Sequence, residues 1–461
     1  MSGSAVNLAA DLRQRAAEHH QAGRLSEALP LYAAYLGLAP RDSSIWSNLG
    51  SLFRSENRHD LALKAHERAY ALAPENNSVL NNLANVLSDI GQYDRALHLR
   101  HQILKKTPGD AAQKAMIGKA LRGKGDYAAS IAYLEPAIAD HPTYYELQIQ
   151  LALSQLAARR YVEGFTTYDV RWKTGELTAR KISQPKWNGE SLAGRTILVL
   201  PEQGFGDAIT FARFIPVLRR FDPKRVMLLC EKPLLRLMAE IEGVDWIGPE
   251  AAIDSGFDVW TNMMDLPPHA FAADPAVPPP TRLCIPEDSR QRARAIVGPH
   301  AGRFKVGVVW CGSVTYRGNA FRSFSHTEFH PLLDLPDVQF FSLYKGPELA
   351  PYHADGTSAF ILDTASSDRD FADCAATMEA MDLIITSDTA TAHVAGSLGR
   401  PVWTLLHWDA FWLWQHQGDR TPWYPTMELF RQSSPRDWSE LFVRVKSRLE
   451  PEVAAWRKAK S

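Results

Sequence analysis

The sequence predicts an α plus α/β chain, a helical solenoid followed by two parallel-sheet lobes. Three observations lead there. Proline recurs every 34 residues at Pro40, Pro74, Pro108 and Pro142, with small residues held in register. Beyond about residue 195, short apolar runs alternate with helical segments in two consecutive series. At 461 residues, 45% hydrophobic and 22% charged, the chain can bury more than one core.

The solenoid comes first. Ala16, Gly50, Ala84, Gly118 and Ala152 mark one small position of each unit, and Ala28, Ala62, Ala96 and Ser130 the other. Small residues let two amphipathic helices approach closely, and proline ends the second helix because it lacks the N–H needed to continue. Trp46, Leu49 and Phe53 supply bulky positions in the second unit. The array resembles tetratricopeptide repeats over about residues 7–175, as four units and a degraded fifth helix pair. Residues 1–175 are assigned to it. Such a solenoid binds extended segments of other proteins. Asn48 and Asn82 hold the same slot in successive units, and Asn85 lies one turn beyond Asn82. Amides repeated along a groove can bond a peptide backbone or one another, and both readings stand at this point.

Residues 176–194 lose the register and read as a connector. Residues 195–300 form the first lobe. "TILVLP" and "RVMLLC" are expected strands, followed by helices over "GDAITFARFIPVLRRF" and "KPLLRLMAEI". Further strands are expected at "VDWIG", "FDVWT" and "TRLCI". Residues 301–461 form the second lobe. Its expected strands are "KVGVVWCGS", "VQFFSLYKG", "AFILD", "DLIITS" and "PVWTLL", with a closing C-terminal helix. Ligands of such folds gather at the carboxyl ends of strands.

Two loops there carry chemistry. In "PEQGFGDAITFARF", Gly204 and Gly206 allow close backbone approach, and Asp207 opens a helix. Ile209 replaces the third glycine of a dinucleotide fingerprint, although Glu231 after the next strand resembles a ribose-binding acid. A carboxylate in the first turn can serve its helix alone, or accept a proton from an attacking hydroxyl. In "SDTATAHVAGSLGRPVWTLL", Ser387 or Asp388 is expected to cap a helix beginning near Thr389. Free amides at 389–392, with the hydroxyls of Thr389 and Thr391, would then hold a diphosphate, and Asp388 sugar hydroxyls. His393 reaches the ligand or packs under the helix. Arg317, Arg322 and Lys345 follow strand ends and could neutralise a leaving diphosphate. The Trp-rich runs "HWDAFWLW" and "TPWYPTMELF" cover a seam or stack on a sugar.

The ordered set resembles bacterial tetratricopeptide-repeat glycosyltransferases with a heptosyltransferase-like catalytic half. That likeness implies the GT-B architecture of two Rossmann-like domains. It also implies that Asp207 is the base, and that Asp388, Thr389 and Thr391 bind the donor's sugar and diphosphate, with Arg322 near the phosphates. The fused solenoid is similar to that of protein O-glycosyltransferases, flagellin modifiers included. A protein acceptor, possibly flagellin, is therefore expected, with a nucleotide sugar as co-substrate and no metal or other cofactor. The alternatives are a non-catalytic adaptor with a vestigial second half, and a transferase of lipid or polysaccharide glycans.

Formal net charge is -1, so no global positive field points to nucleic acid. Cys230, Cys284, Cys311 and Cys374 are too scattered for a disulfide framework or zinc knuckle. The opening "MSGSAVNLAADLRQRAAEHH" has no apolar core of a leader, and no apolar run reaches membrane-spanning length. A cytoplasmic protein is expected.

Overall fold

A computed structural model describes residues 3–175, 177–178, 180–202, 204–249, 256–316 and 318–460. The chain packs as two units, Met1–Leu151 and Ala152–Ser461.

The first unit is a run of antiparallel helix pairs. They are α1 (Gly3–Gln21) with α2 (Leu25–Leu38), α3 (Ser43–Ser55) with α4 (His59–Leu72), α5 (Asn77–Asp89) with α6 (Tyr93–Lys106), and α7 (Ala111–Gly123) with α8 (Tyr127–Asp140). The unit boundary falls inside α9 (Tyr145–Ala157), which precedes the short α10 (Tyr161–Tyr168). Asp42, Asn76 and Asp110 recur at the repeat spacing and cap α3, α5 and α7 through their side-chain oxygens. Ala16, Ala28, Ala62, Ala84, Ala96 and Ser130 are fully buried. A Cβ at Gly50 would meet the His66 ring at 2.6 Å, and one at Gly118 would meet Leu134 at 2.5 Å. The small positions are therefore where helices touch.

The second unit holds two parallel sheets. The first contains β1 (Thr196–Leu200), β2 (Arg225–Leu229), β3 (Trp246–Gly248) and β4 (Val259–Asn262), in the order β3-β2-β1-β4. The second contains β5 (Phe304–Val309), β6 (Val338–Ser342), β7 (Ile361–Asp363), β8 (Leu383–Ser387), β9 (Val402–Leu406) and β10 (Met427–Arg431). Its order, β10-β9-β8-β5-β6-β7, is that of a doubly wound sheet, with the reversal between β5 and β8. After α10, the helices of this unit are α11 (Phe205–Phe211), α12 (Pro267–Phe271), α13 (Glu287–Val297), α14 (Asn319–Arg322), α15 (Leu349–Ala354), α16 (Phe371–Glu379), α17 (Ala390–Ser397) and α18 (Trp438–Lys460).

Several expected elements come out differently. The helix over "GDAITFARFIPVLRRF" splits into α11 and a 3₁₀ stretch, Ala212–Phe221, which contains Pro216; proline removes a ladder N–H there. "KPLLRLMAEI" forms only a 3₁₀ turn, Lys232–Leu234, before irregular turns. "TRLCI" is not a strand, because its bonds go to single groups: Thr281 Oγ1 donates to the Ile209 carbonyl at 2.6 Å, and the Cys284 N–H to that of Leu237 at 2.8 Å. β10 was not expected. Its alternation is masked by the flanking "TPWYPT" turn.

Candidate functional site

The carboxyl ends of both sheets meet where α11 and α17 face each other. Gly206 sits in the first turn of α11, and a Cβ there would lie 2.8 Å from His393 Cδ2 and 3.4 Å from Ala390 Cα. Only glycine allows this approach without displacement. Gly204 is the N-cap of α11, and its N–H donates to Asp207 Oδ2 at 3.2 Å. Asp207 is thus the third residue of its helix rather than the first, and reaches back to close the first turn.

Burial pushes the Asp207 carboxyl up to about 7. The negative charges of Asp388 and Glu202 add to the rise, while the Gly204 N–H and Arg322 oppose it. Asp207 nonetheless keeps some accessible surface. Burial also raises Asp388, against the pull of Arg322. Arg322 ends α14, with its guanidinium 4.5 Å from the Tyr316 ring centroid. A Cβ at Gly312 would lie 2.9 Å from Arg322 Nη2, so that glycine clears the space. Arg322 Nε is buried without a hydrogen-bond partner among the described residues. Asp207, Arg322 and Asp388 are therefore brought together: two carboxyls that resist ionisation, sharing one cation.

The turn after β8 differs from expectation. Thr389, not Ser387 or Asp388, caps the helix, which begins at Ala390; Ser387 is the last residue of the strand and fully buried. The Thr391 N–H goes to Thr389 Oγ1 at 3.4 Å, and the Ala392 N–H to the Thr389 carbonyl at 3.0 Å. Two of the four amides expected to be free are thus used locally, because a threonine cap bonds the turn it begins. The Thr391 hydroxyl also lies 2.8 Å from that of Thr386.

His393 faces the other lobe. Its Nδ1 is 2.8 Å from Thr210 Oγ1 and 3.0 Å from the Tyr424 hydroxyl, and its ring stacks on Trp414. Burial, with Arg213 and Arg322 nearby, lowers it to about 3, so it is neutral. Lys345 does not join Arg322: its Nζ donates to the Asp368 carbonyl. Burial pushes Asp368 up to about 7, with Asp373 adding to the rise. Arg317 lies outside the described residues. Glu231 precedes the 3₁₀ turn after β2. In the first unit, Asn82 Nδ2 donates to Ser47 Oγ at 3.0 Å, Asn85 Oδ1 accepts from Arg100 at 2.7 Å, and Asn48 bonds Tyr32. These amides serve the repeats themselves in this structure.

The sequence reading missed the supports of the site. Arg171, in a 3₁₀ turn after α10, bonds Glu202 twice, at 2.8 and 2.9 Å, and Asp265 at 2.7 Å. Glu202 and Asp265 follow β1 and β4, so this buried trio sits just ahead of the Gly204–Asp207 turn. Arg213 donates to the Trp423 carbonyl at 2.9 Å and lies against the Trp423 and Tyr424 rings. Phe165, Phe211, Phe271, Trp412 and Trp423 form one aromatic cluster. The Trp-rich runs thus fill a seam. A cavity of 380 Å³, lined in part by Trp172, Lys186, Glu202 and Trp260, opens beside the trio.

Comparison with known proteins bears on the repeats. Tetratricopeptide-repeat profiles match residues 53–120, and residues 14–77 and 115–170. Protein FlbA of Caulobacter vibrioides is 26% identical over 367 residues. The match covers 72% of this chain but only 60% of FlbA, so the chain spans less than two thirds of that protein's length. Among solved structures, MamA MSR-1 C2 is 21% identical with a TM-score of 0.32, covering 36% of this chain and 95% of that one. Pseudomonas aeruginosa pilF is 19% identical with a TM-score of 0.33, covering 38% and 80%. No helix among the described residues is long and apolar enough to cross a membrane. The chain carries a tetratricopeptide-repeat array, a scaffold for protein partners, ahead of two parallel α/β sheets.

Proposed function

We propose that the chain is a glycosyltransferase of the GT-B kind, moving a sugar from a nucleotide donor to a hydroxyl of a protein held by the repeats, with flagellin the candidate acceptor. The observation that carries this reading is the convergence of Asp207, Arg322 and Asp388 where helices from two nucleotide-type sheets meet. In the proposed step the acceptor oxygen attacks the anomeric carbon as the bond from that carbon to the phosphate oxygen breaks. Asp207 takes the hydroxyl proton, and Arg322 meets the charge that develops on the leaving phosphate. In this reading Asp388 and the Thr389 hydroxyl would hold the sugar. A single displacement inverts the anomeric centre.

The match to repeat profiles alone also supports an adaptor without chemistry. Intact mass of flagellin from cells with and without this chain separates the two. An added glycan that disappears with the chain, and again with Asp207→Asn, supports transfer. Unchanged mass in both backgrounds removes flagellin as the acceptor. Calorimetry with a panel of nucleotide sugars then tests the donor site directly, and no binding across the panel leaves the adaptor.

A further inference from the structure

Away from that cluster, three metal-ligating side chains converge in the second lobe. His326 and His330 belong to a 3₁₀ stretch, His326–Leu332, that begins shortly after α14. Asp355 follows α15 directly. One ring nitrogen of each histidine and one oxygen of Asp355 lie within 4.8 Å of one another. We propose that these three residues form a divalent-metal site of the zinc type.

The donor set suits that ion. Two imidazoles and a carboxylate, with a fourth position left for water, are a recurring zinc coordination, and without thiolate the set does not favour copper(I). His326 Nε2 and Asp355 Oδ2 are already 2.6 Å apart.

A supporting layer is also present. Asp355 Oδ1 accepts the Thr357 N–H at 2.9 Å, which leaves Oδ2 to face the histidines. The Thr357 hydroxyl lies 2.9 Å from His330 Nε2 and steers that ring. Outer contacts of this kind orient metal-binding imidazoles. His326 is buried, its plane set by Trp310 and Tyr352 at centroid distances of 5.9 and 5.8 Å. His330 and Asp355 are exposed, so both side chains can shift to the donor spacing of about 3.3 Å that a tetrahedral zinc requires, Asp355 Oδ2 backing away from its 2.6 Å contact with His326 and His330 closing in. Without a metal, His326 pairs with Asp355 and His330 with Thr357 as two separate hydrogen bonds, whereas one ion would join all three ligands at a single centre. The metal would fasten the segment following Arg322 to the turn after α15. It would take no part in the proposed transfer, so this inference stands or falls apart from that reading.

The test uses the full chain, stripped with chelator and titrated with zinc alone by calorimetry. The expected result is one zinc per chain, with affinity falling about tenfold or more in His330→Ala and in Asp355→Asn. Both are surface positions, and circular dichroism of each metal-free variant checks the fold. Cobalt(II) should give a visible band of a low-coordinate site in the wild type and lose it in both variants. No zinc binding, or binding undiminished by either substitution, overturns the proposal.

Discussion

Asp207 gives the residue scale its signature in pH. Its carboxyl, pushed up to about 7 by burial and the charges of Asp388 and Glu202, is protonated below neutrality and ionised above it, the form the proposed base needs. Transfer, measured as kcat/KM, should therefore rise with pH through about 7. Asp207→Asn should lower transfer by about 10²–10⁴-fold while leaving donor binding measurable by calorimetry. The same shift fixes the sign for stability. The folded chain binds the Asp207 proton more tightly than the unfolded chain, so the group costs nothing below its unfolded value. It lowers stability as pH climbs from about 4 towards about 7. Asp388 acts in the same direction. Thermal midpoints of Asp207→Asn should thus exceed those of the wild type at pH 8 and converge with them in acid. A variant less stable at pH 8 would show that Asp207 is ionised without penalty.

Helix ends carry the element scale. The caps of α3 and α5 each satisfy two N–H groups: Asp42 accepts from Ser44 and Ile45, and Asn76 from Ser78 and Val79. Asp42→Ala and Asn76→Ala should each cost about 1 kcal/mol in denaturant unfolding. At the junction of α11 and α17 the constraint is steric. Gly206→Ala places a methyl 2.8 Å from His393 Cδ2, and that ring is held by Thr210 and Tyr424 and stacked on Trp414, so it cannot turn aside without breaking those contacts. The expected cost is about 1–3 kcal/mol, with weaker donor binding because the two helix starts are pushed apart. Stability and binding both at wild-type level would mean that the lobes part freely there. The sequence analysis did not name the repeat caps, although Asp42, Asn76 and Asp110 recur at the 34-residue spacing. The α17 cap was misread because Ser387, Asp388 and Thr389 are all competent caps, and only the end of β8 decides which one is used.

For the whole molecule, the buried trio of Arg171, Glu202 and Asp265 joins the segment after α10 to the carboxyl ends of β1 and β4. Burial disfavours the Arg171 charge, but Glu202 and Asp265 outweigh it and hold the guanidinium charged. Arg171→Met would leave Glu202 buried without its cation and Asp265 with Lys186 alone, 3.0 Å away, a loss of about 3–5 kcal/mol, read as a lower urea midpoint for the second unit. Little change would mean that water reaches the carboxylates. Transfer itself should persist in EDTA, since the proposed step uses Asp207 and Arg322 alone. Loss of turnover restored by manganese would contradict that.

The sequence by itself determined the repeat array and most strands of the two sheets. Periodic burial leaves a periodic trace, whether at 34 residues for stacked helix pairs or in apolar runs for strands covered on both faces. It also singled out Asp207, Arg322 and Asp388 one by one, each in the segment that follows a strand. Only the tertiary structure decided that these three meet, that Lys345 turns to Asp368 instead, that His393 bonds across the seam, and that Arg171 stands behind the loop. Those pairings join residues 23 to 183 positions apart. They are set by which strand ends the sheet order brings together, and no local pattern of residues encodes that order.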